Sequence, residues 1–275
     1  MRQQRLGAEL RKLRERAGLT AREAGDLLST APTRINNIES GRFGISRDKV
    51  RAFAVNYGCD DEALISALAD MCGGRGRNWW DEYRDLLPAG LLDLAEMEHH
   101  ARMIRVAQVV HLPGLLQTVD YSRQVFQQSS YELSPPEVEF RVSHRIKRQK
   151  ILYGDSPTPF HATIHEAALR MRFGGPEVTH DQLRHIVAMS ELPHITVRVI
   201  PFIAGTFPGA GHTVELAEGP VAQLDSVSVD TEHGSVFPCS DAQLASYRRF
   251  MERFEAIALE PNASRDLILA IIDTP

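Results

Sequence analysis

Between Pro32 and Ile38 the chain carries Thr33, Arg34, Asn36 and Asn37 around two apolar residues, Ile35 and Ile38. Asparagine can make a paired contact to an adenine edge, arginine to guanine or phosphate, and threonine to a base or a thymine methyl. A second group, His161, His165 and Glu166, spells H-x-x-x-H-E at a strand-to-helix junction. A zinc peptidase helix needs H-E-x-x-H, which sets both imidazoles on one helical face. Here the first His falls in an expected strand and the Glu follows the second, so no metal site is expected. In a third group, Arg145 and Arg148 stand three apart on one helix face, followed by Gln149. They either clamp an anion or pair internally with acids such as Glu96 and Glu98. There is no G-x-S-x-G elbow, no P-loop and no G-x-G-x-x-G after a strand. Catalysis and a bound cofactor are therefore not expected.

The elements that must hold these groups follow from periodicity and punctuation. Leu6, Leu10, Leu13 and Ala17 give one apolar helix face, closed by Gly18. Thr20 and Glu23 form a capping box for a second helix to about Leu28. Ser29-Thr30-Ala31 leaves room only for a turn, and Pro32 suits the first position of a third helix that ends at Ser40-Gly41. Ser46 is expected to cap a fourth helix, burying Val50, Phe53, Ala54 and Tyr57, and Asp60 a fifth, burying Leu64, Ile65 and Leu68. These elements predict an all-α domain of five helices over residues 1–72, a glycine-rich hinge at 73–77, and a larger α+β domain over 78–275. In that body, residues 79–83 open a helix. Further helices are expected at 92–110, 118–128, 137–152, 167–173, 180–190, 241–259 and 264–272, and strands at 160–164, 195–200, 213–216 and 221–229. Pro113-Gly114 makes a turn from which Leu115-Leu116 starts an apolar helix. This stretch is either a plain core turn or a groove wall, in which Leu115, Leu116, Gln117, Arg145, Arg148 and Gln149 would receive an effector or partner. Trp79 and Trp80, just past the hinge, would pack the two domains together or support a dimer.

Across all 275 residues the net charge is −5, but residues 1–59 hold twelve Lys/Arg against six Asp/Glu, and the remainder nineteen against thirty. A basic head on an acidic body suggests that the head alone meets a polyanion. No apolar run approaches the ~20 residues of a membrane helix, and no apolar signal core follows the charged N-terminus. Cys59, Cys72 and Cys239 form no paired spacing, which argues against a disulfide framework and a structural zinc. A cytoplasmic protein without a membrane role is expected.

At residues 6–57 the chain carries Leu6-Gly7-Ala8-Glu9-Leu10-Arg11, Leu13-Arg14, Ala17-Gly18-Leu19-Thr20, Ala24, Leu28, Ile35, Ile38-Glu39-Ser40-Gly41-Arg42, Phe53-Ala54 and Tyr57-Gly58. This pattern resembles the Cro/C1-type (XRE) helix-turn-helix domain. The resemblance implies that the third helix enters the major groove of double-stranded DNA. Base reading then falls to Pro32, Thr33, Asn36 and Asn37, with Asn36 more toward the flank, and phosphate contact to Thr20, Arg22, Arg34 and Arg42. It also implies an Arg14–Glu39 pair. The sequence departs from the family at Ala21, where a phosphate-binding Gln is common, and at Ala31, where a polar cap is usual.

Residues 78–272 resemble the C-terminal domain of unknown function of actinobacterial Cro/C1-type regulators, including WhiJ-like proteins. The likeness rests on Trp79-Trp80-Asp81-Glu82-Tyr83, Leu112-Pro113-Gly114-Leu115-Leu116-Gln117-Thr118, Tyr121, Arg145, Arg148-Gln149, Glu166-Ala167-Ala168-Leu169-Arg170 and Val197-Arg198-Val199-Ile200-Pro201-Phe202. It implies a small protein partner encoded nearby and no enzymatic activity. The expectation is a sequence-specific transcriptional regulator, homodimeric through its body and responsive to that protein or to a small-molecule effector. The competing expectation is an antitoxin-like or enzymatic effector whose helix-turn-helix serves autoregulation.

Overall fold

The computed structural model describes residues 2–72, 77–129, 132–209 and 211–274, so the expected hinge lies outside the described residues except for Arg77. The chain divides into two compact units, Met1–Trp79 with Pro220–Gln223, and Trp80–Gly219 with Leu224–Pro275.

The first unit is helical. α1 (Arg2–Arg16) buries Leu6, Leu10 and Leu13. Ala17 lies past the helix end and is exposed rather than on that face, because the chain turns at Gly18, which has a φ of +71°. α2 (Ala21–Leu27) starts from the Thr20–Glu23 capping box, and α3 (Pro32–Glu39) starts with Pro32 at its first turn. α4 (Arg47–Asn56) is capped by Ser46, whose hydroxyl accepts from the Lys49 amide. α5 (Glu62–Asp70) is capped by Asp61, not Asp60, since the Asp61 carboxylate reaches the Leu64 amide at 2.9 Å. Leu10, Ile35, Val50, Phe53, Ile65 and Leu68 form the apolar interior.

The second unit is α+β. After a 3-10 turn at Trp79–Tyr83 come α6 (Ala89–His99) and β1 (Met103–Gln108). The single helix expected over 92–110 is therefore two elements. β1 is central in its sheet and covered on both faces, so it lacks the alternation that marks a half-wet strand. The helix expected from Leu115 is only a 3-10 turn, Gly114–Leu116, since the new cap at Thr118 starts α7 (Val119–Gln127) two residues later. α8 (Pro135–Arg148) follows a Ser134–Glu137 capping box and tightens into a 3-10 turn at Gln149–Leu152. Next come β2 (Phe160–His165), α9 (Glu166–Arg170), α10 (Gly175–Met189), β3 (Ile195–Ile200) and β4 (Val214–Glu218). The run expected as a strand at 221–229 holds a 3-10 turn and then β5 (Ser226–Thr231). β6 (Gly234–Val236), α11 (Asp241–Ala256) and α12 (Pro261–Ile272) complete the unit.

The six strands lie in the order β3-β2-β1-β4-β5-β6, with β1, β2 and β3 parallel and β4, β5 and β6 joined antiparallel. On one face, Ile104, Val106, Phe160, Ala162, Ile164 and Val197 pack with α10, α12 and the Leu115–Leu116 turn. On the other, Ala107, Leu216 and Val227 pack with Leu244, Met251 and Phe254 of α11. Side chains alternate across a strand, so cross-strand partners share a face. The register then sets Val197, Ala162, Val106, Glu215 and Ser228 in one row across the sheet. That row begins apolar and ends polar.

Candidate functional site

In the first unit, α2 and α3 are joined by a tight turn. Thr30 donates its amide to the Gly25 carbonyl at 2.8 Å, and Ser29 takes a φ of +48°. A Cβ on Gly25 would stand 2.5 Å from the Thr30 carbonyl oxygen, so glycine is required for this approach. Ile35 and Ile38 are buried, which turns Pro32, Thr33, Arg34 and Asn36 outward and leaves Asn37 half-buried. Ala31 supplies no side-chain cap, so the first amides of α3 keep no side-chain acceptor from it. The Asn37 carbonyl accepts the amides of Arg42 (2.9 Å) and Phe43 (3.1 Å), which fixes the loop that carries Arg42.

Arg22, Arg34 and Arg42 are exposed and make no ion pair among the described residues. Thr20 is also exposed, but its hydroxyl donates to the Glu23 carboxylate at 2.7 Å, so a phosphate would have to compete for that hydrogen. Behind the pair of helices Arg14 grips Glu39 through two hydrogen bonds, 2.7 and 2.8 Å, and gives a third to the Leu19 carbonyl at 2.7 Å. The hydrogen bond to Glu39 raises the Arg14 pKa against the opposing effect of burial. The pair ties α1 to the end of α3 and so sets the angle at which α3 is presented.

In the second unit the expected groove residues have mostly structural tasks. Leu115 and Leu116 belong to the apolar core, so the core-turn alternative describes them and a groove wall does not. Gln117 is buried: its amide donates to the Leu112 carbonyl at 2.7 Å, and its oxygen accepts from Ser122 (3.1 Å) and Arg145 (2.5 Å). Gln149 is also buried and donates to the carbonyls of Gln117 (2.7 Å) and Gly114 (3.2 Å). Arg148 forms a buried two-point pair with Glu98, which raises its pKa although burial alone would lower it. Arg145 has no carboxylate partner among the described residues. Its guanidinium lies 4.1 Å from the Phe126 ring centre, and burial pushes its pKa down to about 9.

Residues 91–270, about two thirds of the chain, match the family described as a domain of unknown function (DUF5753). The chain belongs to the DUF5753 family. Residues 5–68 match a helix-turn-helix domain family. No curated protein and no solved structure matches the chain.

The DUF5753 region holds the whole sheet, and at the polar end of its covered face lies a cavity of about 110 Å³. Gln117, Arg145 and Arg148 reach it from the helical side; Gln108, Glu215, Ser228 and Asp230 reach it from the sheet. Periodicity had left the sheet residues unmarked. Ser226-Val227-Ser228-Val229-Asp230 has the alternation of a strand with one wet face. The usable signal was the acid Glu215 inside an apolar strand. Burial and the nearby Glu98 charge raise the Glu215 pKa well above the carboxylate range.

In the His161–His165–Glu166 group, His165 and Glu166 make local hydrogen bonds. His165 Nδ1 accepts from the Ala167 amide at 3.2 Å, and Glu166 accepts from the Phe202 amide and from Arg170, both at 2.7 Å. Among the described residues no cluster of three or more His, Cys, Asp or Glu could hold a metal ion, and no helix is long and apolar enough to cross a membrane. Trp80 is buried within the second unit, its ring 5.0 Å from that of His99.

Proposed function

We propose that the protein is a cytoplasmic, sequence-specific regulator of transcription of the Cro/C1 type, from an actinobacterial lineage, and that it has no catalytic activity. The observation that carries the reading is the outer face of α3: Pro32, Thr33, Arg34 and Asn36 exposed, Asn37 beside them, and Ile35 and Ile38 anchoring the helix from behind. Helix-turn-helix proteins read base edges in the major groove with the N-terminal part of the second helix. Arg22, Arg34 and Arg42 supply exposed positive charge for phosphates. Thr20 can add a neutral phosphate contact, and Asn36 a contact at the edge of the base set.

One such helix covers too few base pairs to single out a site among ~10⁶ competitors. The working unit is then a homodimer with half-sites about one helical turn apart. Residues 78–275 hold the dimer and receive a signal, either a small protein encoded nearby or a small molecule.

Selection of full-length protein on a random duplex library tests this. Enrichment of a two-fold sequence, with affinity falling steeply as salt rises, is expected. Asn37→Ala should lose on the order of 1–3 kcal/mol at the selected site and little on random DNA, whereas Arg42→Ala should weaken both about equally. Failure to enrich any sequence overturns the reading.

A further inference from the structure

The row that crosses the sheet changes character where α6 and α8 cover it. Val197, Ala162 and Val106 are apolar, and their neighbours Glu215 and Ser228 are polar yet also buried. Gln108, at the end of β1, continues the polar zone and accepts from Thr213 at 2.8 Å. Burying polar groups without partners is costly, and two groups here lack them. The Glu215 Oε1 atom and the Arg145 Nε atom are both buried with no hydrogen-bond partner, although each residue lines the same cavity. Arg148, one helical turn from Arg145, shows the alternative: its charge is closed by Glu98. A fold that needed only a packed layer would place an apolar side chain or a paired cation at position 145.

The cavity's size and charge define what would fit. Its volume of about 110 Å³ far exceeds the ~15 Å³ that one water needs. It falls below the ~300 Å³ at which drug-sized pockets begin. The helical wall offers a guanidinium with donors to spare, its plane held by Phe126 and by the hydrogen bond to Gln117. Guanidinium groups of this kind suit a carboxylate. The sheet wall offers the carboxyls of Glu215 and Asp230; Asp230 is exposed at the rim, bonded to the Ser235 hydroxyl at 2.8 Å. Asp230 stands two residues from Ser228 on β5, so the two share the strand face that borders the cavity. A simple anion would satisfy Arg145 but meet the Asp230 carboxylate and leave Oε1 of the buried Glu215 carboxyl, whose pKa burial and Glu98 raise, without a partner. A simple amine would satisfy the acids and leave Arg145 alone.

We propose that this cavity binds a small amino acid, its carboxylate on Arg145 and its amine toward Asp230 and Glu215. The proposal rests on the reading of the DUF5753 region as the part that receives a signal, and it names the chemical class of that signal. Ligand that binds only the folded state raises its stability by RT ln(1 + [L]/Kd).

Full-length protein is therefore titrated, by thermal shift and calorimetry, with each of the twenty amino acids and with propionate, ethylamine and inorganic phosphate as single-group probes. At least one small amino acid should raise the melting temperature saturably, with the three single-group probes at least tenfold weaker. Arg145→Met and Asp230→Asn should each weaken binding more than tenfold. Arg145→Met should melt no lower than the parent without ligand, since it removes a buried cation that has no carboxylate partner among the described residues. Asp230→Asn sits at the exposed rim, so its binding defect is read on a folded protein.

Absence of binding by every amino acid, equal binding of propionate or phosphate, or unchanged affinity in both variants overturns the proposal. If that happens while sequence-selective DNA binding and dimerisation persist, only the ligand class falls. Loss of sequence-selective DNA binding by the parent protein overturns the functional reading instead, whatever the cavity holds.

Discussion

Glu39→Gln isolates the contact that sets α3 on its support. In the native unit the Glu39 carboxylate takes two hydrogen bonds from Arg14, at 2.7 and 2.8 Å, with only 9% and 4% of the Arg14 and Glu39 side chains exposed. The substitution keeps the shape and removes the charge. Glutamine retains one acceptor oxygen, but its amide group then faces an arginine donor, and water cannot enter to replace the lost bond. Breaking a buried pair by removing one partner costs about 3–5 kcal/mol. The surviving hydrogen bond places this case at the lower end, ~3 kcal/mol. For a unit of this size each kcal/mol shifts the midpoint by about 4–8 °C, so a fall of roughly 12–24 °C is expected. Native-state hydrogen exchange of full-length protein, read on amides of α1 and α3, gives the opening free energy of the unit directly. The double variant Arg14→Met, Glu39→Met should recover much of the loss, because no lone charge then stays buried. A loss under about 1 kcal/mol for Glu39→Gln, or a double variant less stable than either single change, would refute the reasoning.

Gly25→Ala should destabilise the first unit by about 1–3 kcal/mol, because the added Cβ meets the Thr30 carbonyl oxygen at 2.5 Å; a melt within 2 °C of the parent would contradict this. Tyr57→Phe should leave stability unchanged or raise it, since the buried Tyr57 hydroxyl has no partner and burial pushes its pKa up to about 12; urea midpoints decide it. Burial, with the charges of Arg148, Arg145, Lys147 and Arg141, lowers the His144 pKa to about 3. The unfolded chain therefore binds a proton that the native state refuses, and stability falls as pH drops from ~6.5 toward 3. Urea midpoints at pH 7, 5 and 4 should converge less steeply for His144→Gln than for the parent; an identical slope would assign the acid sensitivity elsewhere.

The amino-acid sequence determined the first unit almost completely, and the reason is that its signals are local. A capping box needs only Thr20 and Glu23, and Pro32 needs only its own missing amide hydrogen. Ile35 and Ile38 are enough to say which side of α3 faces inward, and hence that Arg34 and Asn36 face outward. Neighbouring residues with the same chemistry blur such signals by one position, as Asp60 and Asp61 did at the start of α5. The α+β class of the second unit was equally legible, from apolar runs alternating with helical ones.

What depended on tertiary structure was which faces are covered. β1 carries the residues of a strand, but its burial on both sides removes the period that distinguishes strand from helix, so residues 92–110 resembled one helix. Leu115 and Leu116 are apolar in either a groove wall or a core; only their place under the sheet made them core. In β5, Ser228 and Asp230 share one face, and only the tertiary structure buries Ser228 beside Glu215 while leaving Asp230 exposed at the cavity rim. Arg145 and Arg148 are the same residue type on one helix face. Their difference, one paired with Glu98 and one facing a cavity, arises from which distant segments the fold brings within hydrogen-bond reach, and no spacing along the chain records that.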